Sequence, residues 1–290
     1  MGSRDYLGFV RKFMREAVYS SLTGLPSEIR SVKSGKVAYA VCVLSHLAGI
    51  AVNYRAGAIL EFQKRLVKYI RIPGMMPASD FGEVLVWLPS YEHETVRFLR
   101  VKKGDVFVDI GAHTGRYTVM ASLMVGERGK VVAVEPDPSN FERLLANISL
   151  NRLKNVIPLR VAASDSDGTA TLHRSIFSSG QSIGQDLGRG SIEVPTKTMD
   201  GVIREIGPGH VDWVKIDVEG FETEVLKGMK ATILRYGPRI IVEVWRSSAT
   251  DFLGDCGYAF EVISSSPQMR YLYCYPKDSG GRTSLRTTQD

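Results

Sequence analysis

The stretch "GDVFVDIGAHTGRYTVMAS", residues 104–122, decides the fold. Val106, Phe107, Val108 and Ile110 make the β-branched and aromatic run that a strand buried on both faces requires, and Asp109 interrupts it where such a strand ends. Gly111 and Gly115 bracket a tight turn. From Thr114 onward the apolar residues Tyr117, Met120, Ala121 and Met124 recur at helical spacing. A strand, a glycine turn and a helix form the opening unit of a doubly wound α/β sheet. Its ligands sit at the carboxyl ends of the strands, near a helix amino terminus.

The glycine spacing separates the ligands that such a turn serves. A dinucleotide turn reads G-x-G-x-x-G, but His113 stands where its second glycine would be. A P-loop needs Gly-Lys-Ser/Thr, but Arg116 and Tyr117 follow Gly115. The pattern D-x-G-x-x-x-G suits S-adenosylmethionine, which carries no phosphate. Asp109 is placed to take the ammonium of its methionine end, and the glycines leave room for backbone beside the sulfonium.

The next strand carries the complementary signal. In "KVVAVEPDPSNFERLLANI", Val131 to Val134 is a buried run and Glu135 follows, twenty residues beyond Gly115. A carboxylate there accepts hydrogen bonds from vicinal ribose hydroxyls. Pro136-Asp137-Pro138 forces a turn, and Ser139 or Asn140 is the expected cap of the helix carrying Phe141, Leu144, Leu145 and Ile148.

Together, "VFVDIGAHTG", "VVAVEPDPSNFERLLANI", "LRVAASDSDG" and "VDWVKIDVEGFETEVLKGM" resemble the FkbM family of S-adenosylmethionine-dependent methyltransferases, over roughly residues 91–245 and in the family's motif order. The resemblance implies the class I methyltransferase fold, a Rossmann-like α/β architecture. Its seven-stranded sheet is mostly parallel, with one antiparallel strand in the edge region and helices on both faces. It also implies methyl transfer to a hydroxyl, usually of a sugar or other small molecule. The family's adenine packs where Ala162-Ala163-Ser164 ends the third strand, while Asp165 either accepts from the adenine amino group or begins the turn to Gly168. The cofactor site drawn from these motifs comprises Asp109, Gly111, Ala112, His113, Gly115, Glu135, Pro136, Ala162, Ala163, Asp165 and Asp217. Family members often carry histidine where Trp245 stands at the end of the fifth strand, "PRIIVEVW"; here the indole is either a wall for the acceptor or core filling.

The fourth strand, Val211 to Ile216, ends in Asp217-Val218-Glu219-Gly220. Residues two apart in an extended chain share a face, so Lys215, Asp217 and Glu219 are expected to point together toward the acceptor. Methyl transfer to a hydroxyl needs the acceptor held in line and a group to take its proton. Asp217 and Glu219 are the candidates for orientation and proton removal, with Lys215 tuning their ionisation. His113 is a second candidate base, or a turn residue bonded through its backbone. The plainer alternatives are a surface pair of Lys215 with Glu219 and a helix cap at Asp217. Two carboxylates do not establish a metal site, and none is assigned.

At 290 residues, 44% hydrophobic and 23% charged, the chain is globular in composition and long enough for one α/β domain plus an extension. Cys42, Cys256 and Cys274 lack metal-type spacing and fit a reducing cytoplasm. The net charge of +6 is uneven: residues 1–72 hold twelve Lys or Arg against four Asp or Glu, a balance of +8, leaving −2 for the rest. Residues 1–75 read as a basic helical extension, 76–276 as the methyltransferase domain and 277–290 as a disordered polar tail. Within the extension, residues 37–54 are uncharged, but Ser45, His46, Gly49 and Asn53 favour a buried helix over peripheral membrane contact or a span. Residues 175–191, rich in Ser, Gly and Gln, suggest a lid beside the acceptor, or plain disorder.

These features favour an O-methyltransferase acting on a sugar, glycolipid or small metabolite. Two alternatives stand beside it. In one, the basic extension grips RNA and a ribose 2′-hydroxyl is methylated, although no RNA-binding motif accompanies its basic stripe of Lys64, Arg65, Lys68 and Arg71. In the other, the chain binds cofactor and partners without catalysis.

Overall fold

In the computed structural model, residues 32–34, 36, 38–42, 70, 72–78, 81–89, 91–173, 182–183, 190–266 and 269–277 are described. The central sheet begins with β1, Val106–Ile110, whose residues are all buried. Their alternation sends Val106, Val108 and Ile110 to one face and Phe107 to the other, together with Asp109. Each fully buried aliphatic or aromatic side chain contributes about 1.5–3 kcal/mol, so this one strand anchors both layers.

Helix α3, Arg116–Val125, follows the glycine turn, then β2, Lys130–Val134, and α4, Pro138–Leu150. Asp137 caps α4, accepting from the N–H groups of Ser139 at 2.9 Å and Asn140 at 3.0 Å. The expectation that Ser139 or Asn140 is itself the cap is therefore corrected. Pro138 occupies the first turn, where its missing N–H costs nothing. Next come β3, Val156–Leu159, and the short β4, Ala162–Ala163. They are followed by β5, Gly168–His173, β6, Ser191–Lys197, and α5, Met199–Ile206. Strand β7, Trp213–Ile216, leads through α6, Glu222–Lys227, and α7, Lys230–Tyr236, to β8, Arg239–Val244. The chain ends with α8, Ser247–Asp255, β9, Tyr258–Ser265, and β10, Arg270–Pro276. The short helices α1 (Phe81–Val86) and α2 (His93–Phe98) lie ahead of β1 in the chain.

The strand order is β3-β2-β1-β7-β8-β10-β9. All neighbours are parallel except β10, which runs against both β8 and β9. The chain leaves β1 toward β2 on one side and returns to β7 on the other, which puts the ligand-binding switch point between β1 and β7. One layer packs Val108, Val132, Val214, Ile240 and Val242 against α5, α6, α7 and α8. The opposite layer packs Phe107, Val131, Trp213 and Ile241 against α3.

A second sheet, ordered β4-β6-β5, departs from the strand assignment made from sequence. Ala162 and Ala163 do not end the third strand: the chain leaves the main sheet after Leu159, and they pair with Thr196 and Lys197 of β6. The two alanines form too short a run to reveal this partner by periodicity.

Most of the basic extension lies outside the described residues. Within it, Val32, Tyr39 and Cys42 are fully buried. Among the described residues, no helix is long and apolar enough to cross a membrane. The polar tail from residue 278 also lies outside them, and all three cysteines are free thiols.

Candidate active site

The glycine turn is shaped by protein packing. Gly111 has φ +80°, and a Cβ there would sit 1.8 Å from the carbonyl oxygen of Asp217, because the chains leaving β1 and β7 touch at the switch point. Gly115 has φ +94°, and its Cβ would press on Leu144 of α4 at 2.6 Å. On the side where a Cβ would project, the room these glycines leave is thus filled by Asp217 and Leu144. Between them Ala112 is buried against Ala133 and Leu144, and His113 takes a left-handed φ of 51°.

Asp109 is fully buried. Its Oδ2 accepts from the Thr118 hydroxyl at 2.6 Å, and its Oδ1 has no hydrogen-bond partner among the described residues. Burial raises its pKa, opposed by the attraction of Lys215. An orphaned buried carboxylate oxygen at the end of β1 is the acceptor that an ammonium requires, so this turn fits the methionine end of S-adenosylmethionine. Arg116 Nη2 donates to the carbonyl oxygens of Tyr91 at 2.6 Å and Leu88 at 3.3 Å, while its buried Nη1 lacks a partner. That donor could take the cofactor's own carboxylate, a role invisible in a lone arginine after a turn.

Glu135 is buried at the end of β2. Its Oε2 accepts the His113 N–H at 2.9 Å, and its Oε1 accepts the Asp137 N–H at 2.9 Å. Burial pushes its pKa up to about 7 against these hydrogen bonds. Oε1 also accepts from Asn140 Nδ2 at 3.5 Å, while Oε2 keeps a lone pair for a ribose hydroxyl. Pro136, half-buried, continues the turn into the Asp137 cap.

The second half of the site sits beyond β7 and β8. Lys215, 2% exposed, places Nζ 2.8 Å from Asp217 Oδ2 and 4.5 Å from the centre of the Tyr117 ring. Burial alone would discharge it, but Asp217, Glu92 and Asp109 outweigh that and hold the ammonium. Asp217 is likewise pushed up by burial. Lys215, and hydrogen bonds from Glu243 and Lys215, more than reverse this and keep it ionised. Glu219 and Glu243 are driven the other way, by burial and then by the charge of Asp217.

Carboxylate oxygens of Asp217, Glu219 and Glu243 lie within 4.8 Å of one another, the set among the described residues that could share a cation. Glu219 joins them through a turn: φ 51° breaks the extended alternation that would have aligned it with Lys215 and Asp217. Neither plainer alternative is observed. Lys215 is a buried partner of Asp217, and α6 begins at Glu222 with Phe221 as its cap.

Glu92 was not a candidate from sequence, where it is one charge among several in "SYEHET". It has φ 48°, and its carboxylate accepts from Tyr117 at 2.6 Å and Tyr271 at 3.0 Å. Tyr271 stands opposite Glu243 in the register of β8 and β10, so Glu92 closes the cleft over the carboxylates. The strand-end position of Glu243 was legible, but its coupling to Asp217 was not.

Other candidates fall elsewhere. Ala162 packs with Leu172 and Val194, and Ala163 joins the main core, so both small side chains fill protein interior. This corrects the expectation that they leave space for adenine. Asp165 is exposed and accepts from the Ser166 hydroxyl at 3.2 Å, as a turn residue does. Trp245 is half-buried, and its backbone N–H bonds Glu222. Of the expected lid, residues 175–191, only residues 182–183 and 190–191 are among those described, and Ser191 already belongs to β6. Ser182 is buried and donates to the Glu219 carbonyl oxygen at 2.7 Å.

The strand order with reversed β10 and the switch-point turn, with acids at the strand ends, define the class I methyltransferase fold. Residues 109–269 match the methyltransferase FkbM domain, and the chain belongs to that family. It is 32% identical over 155 residues to the hexuronic acid methyltransferase AglP of Haloferax volcanii, covering 53% of this chain and 62% of that protein. It is 26% identical over 200 residues to the 2-O-methyltransferase NoeI of Sinorhizobium fredii, covering 62% of this chain and 76% of the relative. A solved FkbM methyltransferase from Methylobacillus flagellatus aligns with TM-score 0.46 and 16% identity, covering 62% of this chain and 45% of that one.

Proposed function

We propose that this protein transfers a methyl group from S-adenosylmethionine to a hydroxyl of a sugar or a related small polyol. The observation that carries it is the Lys215–Asp217 pair at 2.8 Å, set beside Glu219 and Glu243 at the switch point, where the backbone leaving β7 touches Gly111. AglP and NoeI, whose names specify a hexuronic acid and a 2-O-position, support the hydroxyl-bearing acceptor class.

Bound S-adenosylmethionine supplies the electrophilic methyl group on its sulfonium. Asp109 Oδ1 would hold its ammonium and Glu135 its ribose hydroxyls, and Asp217 is the group that takes the proton the acceptor's hydroxyl loses on methylation. Lys215 keeps Asp217 ionised and so able to act as base. Glu243, hydrogen-bonded to Asp217, fixes its orientation. Glu219 holds the acceptor's neighbouring hydroxyls. His113 serves the turn through its backbone N–H.

The test is transfer of radiolabelled methyl from the cofactor to a panel of simple glycosides. Label appearing as a methyl ether on a ring hydroxyl is the expected result. Bound cofactor with no label on any hydroxyl contradicts the proposal.

A further inference from the structure

Glu219, assigned above to the acceptor's neighbouring hydroxyls, comes beside Asp217 only because the chain turns sharply after β7. One of its carboxyl oxygens lies within 4.8 Å of oxygens of Asp217 and Glu243. The turn runs through two successive left-handed residues, Glu219 at φ 51° and Gly220 at φ 97°. Glycine adopts that region freely, whereas the Cβ of a glutamate crowds the following carbonyl. A glutamate in this conformation therefore needs surrounding groups that hold it there.

The peptide unit that joins the two residues is held at both of its polar ends. Its carbonyl oxygen, that of Glu219, accepts the Ser182 hydroxyl at 2.7 Å. Its N–H, that of Gly220, donates to Glu222 Oε1 at 2.6 Å. Rotating this peptide would break both bonds, so ψ of Glu219 and φ of Gly220 are fixed together. Glu222 is local, two residues along the chain, and buried. Ser182 comes from 37 residues earlier and is also buried. Its own backbone is paired with His173 at the end of β5, through hydrogen bonds of 2.8 and 3.1 Å. The hydroxyl thus carries the second sheet across to the turn after β7.

We propose that Ser182 is a positioning residue for the acceptor. By holding the Glu219 carbonyl oxygen it keeps the left-handed turn, and with it the Glu219 carboxyl group, where the acceptor's neighbouring hydroxyls bind. This rests on the sugar-hydroxyl reading above and deepens it, because it brings the segment after β5 into the control of acceptor binding. Ser182 acts through Glu219 and not on the reacting atoms. Asp109 and Glu135 lie at the ends of other strands, so cofactor binding does not depend on it.

The experiment uses the full-length protein, radiolabelled cofactor and a glycoside from the panel that takes label. It compares Ser182→Ala, Ser182→Cys, Glu219→Ala and the double variant Ser182→Ala with Glu219→Ala. In Ser182→Ala the acceptor KM is expected to rise about tenfold, with kcat changed by less than about threefold and cofactor affinity by calorimetry within about twofold. Ser182→Cys, which keeps the shape and weakens the donor, raises the same constant by less. Glu219→Ala raises acceptor KM as well, and adding Ser182→Ala to it raises it no further, because the group that Ser182 places is gone. A serine that serves stability alone would lower the active fraction, and so kcat at unchanged KM, equally in both backgrounds. That result overturns the proposal, as does an acceptor KM that neither serine variant moves; the labelled glycoside leaves the sugar-hydroxyl reading standing in both cases. If the unaltered protein labels no glycoside while calorimetry shows cofactor binding, the sugar-hydroxyl reading falls and this inference falls with it.

Discussion

The ammonium of Lys215 stands 2.8 Å from Asp217 Oδ2, two residues along the chain and at the carboxyl edge of the sheet. Without it, Asp217 would lose the largest attraction that opposes its burial and would take up a proton. Lys215→Met is therefore expected to lower methyl transfer by about 10² or more and to cost about 3 kcal/mol of stability. Turnover with radiolabelled cofactor and denaturant unfolding check the two effects separately.

Glu135 gives a pH signature. Its pKa in the fold is about 7 against an ordinary 4.5, so between those values the folded state holds a proton that the unfolded chain has lost. Stability of the cofactor-free protein therefore falls as pH rises from about 4.5 through about 7, and Glu222, also near 7, adds to that slope. Ribose hydroxyls donate to the ionised form. Cofactor affinity should accordingly rise with pH below about 7, by up to about tenfold per pH unit. Calorimetry in two buffers should show proton release, and Glu135→Gln should abolish both the release and the slope.

Gly111→Ala tests the switch point. The added Cβ meets the Asp217 carbonyl oxygen at 1.8 Å and the residue has φ +80°, so neither packing nor conformation accommodates it. The expected cost is about 2–4 kcal/mol. Cofactor affinity should fall as well, because Asp217 and the turn move together. Thermal unfolding with and without cofactor reads both.

The segment before the sheet is tied down by charge. Glu83, fully buried, accepts from Arg143 Nε at 2.7 Å, and Arg143 also donates to the Pro77 carbonyl oxygen at 2.7 Å. Arg143→Ala removes this ion pair from a buried carboxylate and should destabilise the protein by about 3–5 kcal/mol. Glu83→Gln in the Arg143→Ala background should recover part of that loss in denaturant titrations.

The parallel strands were legible because β1, β2, β7 and β8 are buried on both faces and read as apolar runs ending in acids. The turn was legible because two glycines at fixed spacing have few uses. What escaped lay in contacts between distant segments. Ala162 and Ala163 pair with β6, more than thirty residues away, and a two-residue strand carries no periodicity. Glu92 reaches Tyr271 across 179 residues of sequence, and nothing local distinguishes it from the exposed charges beside it. Asp109 and Glu135 could be singled out because a carboxylate closing a buried strand demands a partner. The reason for the glycines could not be, since it lies in the approach of Asp217 and Leu144.

The most direct test is Asp217→Asn, which keeps the side chain's size and removes its charge. Cofactor affinity by calorimetry and single-turnover methyl transfer to the glycoside panel are measured on the same preparation. The account predicts affinity within about threefold of the unaltered protein and transfer lowered by about 10²–10⁴. Unchanged transfer at unchanged affinity would show that the proton leaves by another route, and would contradict the assignment of the base.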